Sequence, residues 1–223
     1  MFMQDNHHKN RARNRRHEIL EAARGLFFQR GYHGTTVEQI ARRAGYSKRA
    51  VYLDFANKDE LFITLCVEGG ELLFRKLSQS RRDGLPFEAC IDLYLKTYID
   101  FSREHSEYYR MIFSEATPEI IANCSEGLRA SLERVERACL GVLVEFAERA
   151  MREGLIREVD PWEVAAAFLG SATGIIQLFR GIQVIFSREA LESLARKTTW
   201  TLWRGLTTMQ EPGTERQFRR ENG

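Results

Sequence analysis

The chain has 223 residues, of which 43% are hydrophobic and 29% charged. That suits a soluble globular protein able to bury a sizeable core in one large or two small domains, and the mere four prolines speak against a β-sandwich or a low-complexity chain. The formal net charge of +2 points to no partner as a total, but it is unevenly spread: residues 1–62 hold 12 Lys and Arg against 7 Asp and Glu, and residues 63–223 hold 21 against 24.

The positive charge is densest at the start, where Lys9, Arg11, Arg13, Arg15 and Arg16 face a single acid, Asp5. Residues 1–12 read as a disordered basic arm, which is either a phosphate or minor-groove contact or a solvated tail. A first helix follows with Ile19, Ala22, Ala23, Leu26 and Phe27 on one face, closed by Gly31. Thr36 caps a short second helix, with Gln39 at the capping-box spacing and Val37, Ile40, Ala41 and Ala44 inside. Gly45 breaks the pattern, Ser47 caps a third short helix with Val51, Tyr52 and Phe55 as its apolar positions, and Asn57 restarts a fourth with Glu60 three residues on.

From Leu61 the helices lengthen. The fourth continues to Leu77 across Gly69-Gly70, where it either bends or packs closely, and Arg81 to Pro86 is a link. Phe87 to Arg103, a short segment from Ser106 to Ser114, and a long stretch from Pro118 to about Gly154 come next. Asp160-Pro161 opens a helix running to about Phe186, and Arg188 to about Met209 is the last. Residues 210–223 read as a flexible tail, and with no alternating run long enough for a strand the expected fold is all-α, about nine helices.

Cys66, Cys90, Cys124 and Cys139 form no CxxC pair, which argues against a zinc site or a disulfide framework and for a reducing, intracellular compartment, a thiol sensor being the alternative. The stretch from Trp162 to Phe179 comes nearest to a membrane span but is interrupted by Glu163 and Gln177 and closed by Arg180, so neither export nor membrane insertion is expected. Catalytic signatures are equally missing: the five histidines make no HExxH, and there is no GxGxxG, P-loop or GxSxG, so no enzyme, metal or cofactor is expected.

The informative stretch is TTVEQIARRAGYSKRAVYLDFANKDELF, Thr35 to Phe62. A helix, a glycine-containing turn and a second short helix, braced by a preceding helix, form the plan of a helix-turn-helix. A major groove about 12 Å wide admits one helix, which a second must hold out from the body. The alternative is a helical hairpin in an ordinary bundle.

Arg16 to Phe27, the Thr36 cap, Ile40-Ala41, Ala44-Gly45, Ser47, the Tyr52 and Phe55 pair, Asn57-Lys58 and Leu61-Phe62 together resemble the TetR family of bacterial transcriptional regulators. The resemblance implies a DNA-binding domain at residues 13–62, with its helix-turn-helix at about 36–55, and a ligand-binding and dimerisation domain at 63–209. It also implies roles: Thr36 and Lys58 on phosphates, Lys48, Arg49 and Ala50 toward base edges, and the Tyr52 hydroxyl on the backbone; Ser47 and, from the basic start of the chain, Arg13, Arg15 and Arg16 are also expected on DNA. Leu53 and Asp54 depart from the family pattern, and Asp54 either serves local structure or reads a cytosine amine.

Tyr94, Tyr98, Phe101, Tyr109 and Phe113 crowd into 20 residues, and Phe146 lies on the long helix. They line a largely hydrophobic ligand pocket or fill the core. Phe168, Gly170, Gly174 and Leu178, with Leu191, Leu194, Thr198 and Leu202 on the final helix, read as a dimer interface or as internal packing. The expected protein is a cytoplasmic, nucleoid-associated homodimeric repressor, released from a near-palindromic duplex operator by a small, mainly hydrophobic effector. An architectural DNA-binding protein without effector control, or a ligand-binding bundle with a degenerate DNA module, are the alternatives.

Overall fold

The structure, a computed structural model, describes residues 2–81, 85–181 and 188–207. Among them are ten α-helices: α1 (Phe2–Arg30), α2 (Val37–Ala44), α3 (Lys48–Tyr52), α4 (Lys58–Ser78), α5 (Phe87–Glu104), α6 (Ser106–Arg110), α7 (Pro118–Ala122), α8 (Glu126–Arg152), α9 (Pro161–Gly181) and α10 (Arg188–Leu206). A π-helical turn, Met111–Glu115, follows α6. The described residues contain no strand, only one antiparallel bridge between Ile156 and Thr207. The expected tail, residues 210–223, lies outside the described residues.

The all-α expectation holds, with three differences of detail. The segment expected as a disordered arm is helical, because neither glycine nor proline interrupts residues 2–24 and α1 simply continues toward the N-terminus. The stretch expected from Pro118 to Gly154 divides into α7 and α8. Between them the polar groups of Asn123 and Ser125 bond to α4 instead of to a continuing helix. The chain forms two compact units, residues 1–142 and 143–223, so the division falls inside α8 and not at residue 62.

The core explains why the first unit does not split at residue 62. Ile19, Ala23, Leu26 and Phe27 of α1 pack with Val37, Ile40 and Ala41 of α2, Val51 of α3, and Leu61, Phe62 and Leu65 of α4. The same cluster continues through Met111 into Ile120, Cys124 and Leu132. Each fully buried phenylalanine here, such as Phe27 or Phe62, contributes roughly 2–3 kcal/mol of transfer free energy. Gly69 and Gly70 are sites of close approach within an unbroken α4: a Cβ on Gly69 would come 2.5 Å from the Tyr108 ring, and one on Gly70 2.5 Å from a Val135 methyl.

In the second unit α9 packs against α10, and the segment after α8 returns to the end of α10 through the Arg157 N–H, which donates to the Leu206 carbonyl at 3.0 Å.

Candidate nucleic-acid interface

The geometry of α2 and α3 is set by local polar groups. The Thr36 hydroxyl accepts from the Gln39 N–H at 3.3 Å while the Gln39 side chain accepts from the Thr36 N–H at 3.0 Å, completing the capping box. At the other end Gly45 sits in the left-handed region at φ 76, and the Tyr46 N–H reaches the Ala41 carbonyl at 2.9 Å. Nothing crowds Gly45, so it is the backbone conformation that requires glycine. The chain reverses there, and the Ser47 hydroxyl caps α3 by accepting from the Ala50 N–H at 3.2 Å.

This turn fixes which side chains α3 presents. Val51 is buried against α2 and the following Phe55 is buried too, whereas Ser47, Lys48, Arg49, Tyr52 and Leu53 are exposed and Ala50 is half-buried. The Lys48 ammonium pairs with Glu38 of α2, holding the Glu38 carboxyl below and the Lys48 ammonium above their ordinary ranges. It also lies 5.8 Å from the centre of the Tyr52 ring. Arg49 has no ion pair among the described residues and leaves five donors available for recognition.

Besides Lys48, three more of the basic residues expected on DNA have internal engagements. Arg15 makes a bidentate pair with Asp54, Nε to Oδ2 at 2.7 Å and a second nitrogen to Oδ1 at 2.9 Å. The hydrogen bonds donated to Asp54 raise the guanidinium's already high pKa further. Asp54 thus serves local structure: it fastens the end of α3 to α1, and its charge is neutralised beside the exposed face. Arg16 lies 4.3 Å above the Phe55 ring.

Lys58 is engaged inward as well. Its ammonium donates to the Tyr32 and Thr35 carbonyls at 3.0 and 3.2 Å and sits 3.8 Å from the Tyr32 ring centre. Burial lowers its pKa. With two of three donors used inward, Lys58 locks the α1–α2 turn instead of standing free for a phosphate. Arg13 and Thr36 remain exposed.

A second set of contacts, absent from the sequence reading, joins the segment from 110 to 125 to the frame of the helix-turn-helix. The Arg110 guanidinium donates to the Phe27 and Phe28 carbonyls at the C-terminal end of α1, at 2.9 and 3.0 Å, and pairs with Glu115. Glu115 in turn accepts from the Tyr32 N–H at 3.2 Å. At the start of α4, Asn57 caps the helix by accepting from the Glu60 N–H at 2.8 Å and donates to the Asn123 carbonyl at 2.9 Å.

Glu60 does not complete a capping box. Its carboxylate accepts from the Ala56 and Ser125 N–H groups at 2.9 and 3.1 Å, which holds its pKa below the usual glutamate value. Buried Asp59 accepts from the Asn123 side chain at 2.8 Å and from the Tyr32 hydroxyl, which burial and this bond push to higher pKa. The bonds that tie the 110–125 segment to this frame join residues 64 to 83 apart in sequence, where no local spacing reveals them.

Of the residues expected to line a ligand pocket, Tyr94, Tyr98, Phe101 and Tyr109 are buried and Phe113 is half-buried. Tyr98, Tyr109 and Phe113 form a triangle of rings with centroids 4.7 to 5.9 Å apart. Tyr109 and Phe113 flank Arg110 in the chain, so the aromatic cluster and the clamp on α1 share one short segment. Phe146 is buried in the second unit.

The expected dimer residues separate into two sets. Phe168 and Leu191 are buried in the single chain, unlike an exposed interface; a helix apolar on more than one side does not show in sequence which side turns inward. Leu194, Thr198 and Leu202 are half-buried. Gly170, Gly174 and Leu178 are exposed, and with Trp162 and Ala166 they form a stripe at every fourth position of α9. The region Pro161–Arg180 has the length and apolarity of a membrane span, with 33% of its most apolar window buried.

Residues 19–65 match the N-terminal domain of the bacterial regulatory proteins of the tetR family. The chain is similar to the uncharacterized HTH-type transcriptional regulator YhgD of Bacillus subtilis, with 27% identity over 64% of this chain and 72% of that one. Its likeness to the HTH-type transcriptional activator FasR of Mycolicibacterium smegmatis is 29% over 54% of this chain, and the match spans only 57% of FasR's length. Among solved structures, AibR in complex with isovaleryl coenzyme A and operator DNA is 27% identical, with a TM-score of 0.63 over 85% of this chain and 98% of that one. The helix-turn-helix built on α1 to α4 and the match across it agree: residues 19–65 are an N-terminal domain of the TetR family of bacterial transcriptional regulators, in a chain whose fold is like that of AibR.

Proposed function

We propose that the protein is a homodimeric, sequence-specific regulator that binds a near-palindromic duplex operator and is released from it by a small, mainly hydrophobic effector. The observation that carries the DNA reading is α3: a five-residue helix held out by a capped turn, with Lys48, Arg49 and Tyr52 exposed and the adjoining Asp54 neutralised by Arg15. One helix of this size has little surface, so two copies on two half-sites are needed for useful affinity. The exposed α9 stripe of Trp162, Ala166, Gly170, Gly174 and Leu178 supports pairing, since two such helices can approach closely where the side chains are small. A dimer of this kind works in the cytoplasm, on the nucleoid.

Effector control rests on the segment from Tyr109 to Glu115. A molecule wedged among Tyr98, Tyr109 and Phe113 would shift Arg110 and Glu115, and with them the end of α1. The π-helical turn there has one residue more per turn than an α-helix accommodates, and such turns recur at functional sites. AibR, solved with an acyl thioester and operator DNA, supports an effector with an apolar acyl portion. The ligand's preference for the shifted arrangement limits how far the equilibrium moves.

Selection of binding sites from random duplexes tests the DNA reading. The wild type is expected to enrich a near-palindrome. Arg49→Ala is expected to relax preference at one base pair per half-site, with a loss of about tenfold to a hundredfold in discrimination there. Unchanged discrimination in Arg49→Ala contradicts the assignment.

A further inference from the structure

Among the described residues the side chain of Leu53 is the least explained large apolar group: it is 69% exposed, the highest value among their exposed large hydrophobics. It caps α3 in a helical conformation, φ −74 and ψ −25, so the helical register continues through it. Leu53 therefore stands one turn beyond Arg49 on the same face, while Lys48 and Tyr52 form the neighbouring pair. A leucine that contributes nothing to the core, set at the end of a basic helical face, calls for an apolar partner within an anionic surface. In duplex DNA that partner is the 5-methyl group of thymine, the one apolar group on a base edge in the major groove.

Resting on the operator-binding reading above, we propose that Leu53 is a specificity-determining residue that packs on a thymine methyl. The register places that thymine. Four residues of helix advance about 6 Å, and stacked base pairs are about 3.4 Å apart, so the thymine lies within about two base pairs of the one read by Arg49. The Arg15 pair makes the approach possible, because Asp54, the next residue, would otherwise bring a bare carboxylate to the phosphates beside it. The contact would set preference for thymine over cytosine, which has no methyl, without a hydrogen bond.

The test compares selected duplexes carrying thymine with the same duplexes carrying deoxyuridine, which lacks only the methyl, using the full-length protein. The wild type is expected to bind the deoxyuridine duplex about fourfold more weakly for each substituted half-site, the effect of one buried methyl. Leu53→Ala is expected to bind both duplexes equally while melting at the wild-type temperature. A wild type indifferent to the methyl, or a Leu53→Ala variant that still discriminates, overturns the proposal. Enriched sites with no thymine within two base pairs of the position relaxed in Arg49→Ala also overturn it and leave operator binding intact. Failure to enrich any duplex removes both readings together.

Discussion

The pairing of Arg15 with Asp54 separates two uses of a basic residue that give the same first result. Arg15→Ala should weaken operator binding whether Arg15 touches a phosphate or only neutralises Asp54. The side chains are 27% and 10% exposed and joined by two short bonds, so the pair lies between a surface ion pair worth up to about 1 kcal/mol and a sheltered charged hydrogen bond worth about 1.5–3. Loss of either partner should cost about 1–2 kcal/mol, a fall of about 2–8 °C in melting temperature for a chain of this size. In Arg15→Ala the orphaned carboxylate also repels the phosphates. The structure therefore predicts that the double variant Arg15→Ala/Asp54→Ala regains most of the lost operator affinity, read by fluorescence anisotropy at several salt concentrations. If the double variant stays as weak as Arg15→Ala and its salt slope is reduced by about one unit per protomer, Arg15 is a phosphate contact and the reasoning is refuted.

Gly70→Ala should destabilise by about 1–3 kcal/mol in a denaturant titration, because the new methyl meets Val135 and the overpacking exceeds the gain in helix propensity; Gly141→Ala in α8, with open space around it, should stabilise by about 0.5–1 kcal/mol. Leu178→Lys, on the exposed α9 stripe, should shift the dimer toward monomer in light scattering without lowering helicity, and an unchanged mass contradicts this interface. Glu60, whose carboxylate accepts two backbone N–H groups, has a lowered pKa and contributes stability above its unfolded pKa that is lost as pH falls through the lower folded value. The melting-temperature gap between wild type and Glu60→Gln should thus be full at pH 7 and shrink as pH drops below the ordinary glutamate value of 4.5. A gap independent of pH contradicts it.

What could be read from the sequence depends on how local its cause is. Thr36, Ser47 and Asn57 cap their helices by bonds to the residue three positions on, so each cap is written in four consecutive letters. Gly45 is equally legible, because its turn needs one residue in the left-handed region. Arg15 and Lys58 read as free cations, since their partners stand 23 to 39 residues away. The reading of Asp54 as local structure succeeded, although its partner could not be named in advance. The split at Asn123 was hidden for the same reason: the side chains that hold it belong to α4. On α9, Phe168 and Gly170 lie two residues apart in one apolar run, and tertiary packing, to which α10 contributes, decides which faces inward.

Footprinting of the full-length protein on a selected operator tests the central claim most directly. A dimer that places one α3 in each of two successive major grooves predicts two protected blocks in a near-palindrome, their centres about 34–36 Å apart, with protection that weakens as salt is raised. A single unrepeated block, or protection indifferent to salt, would contradict it.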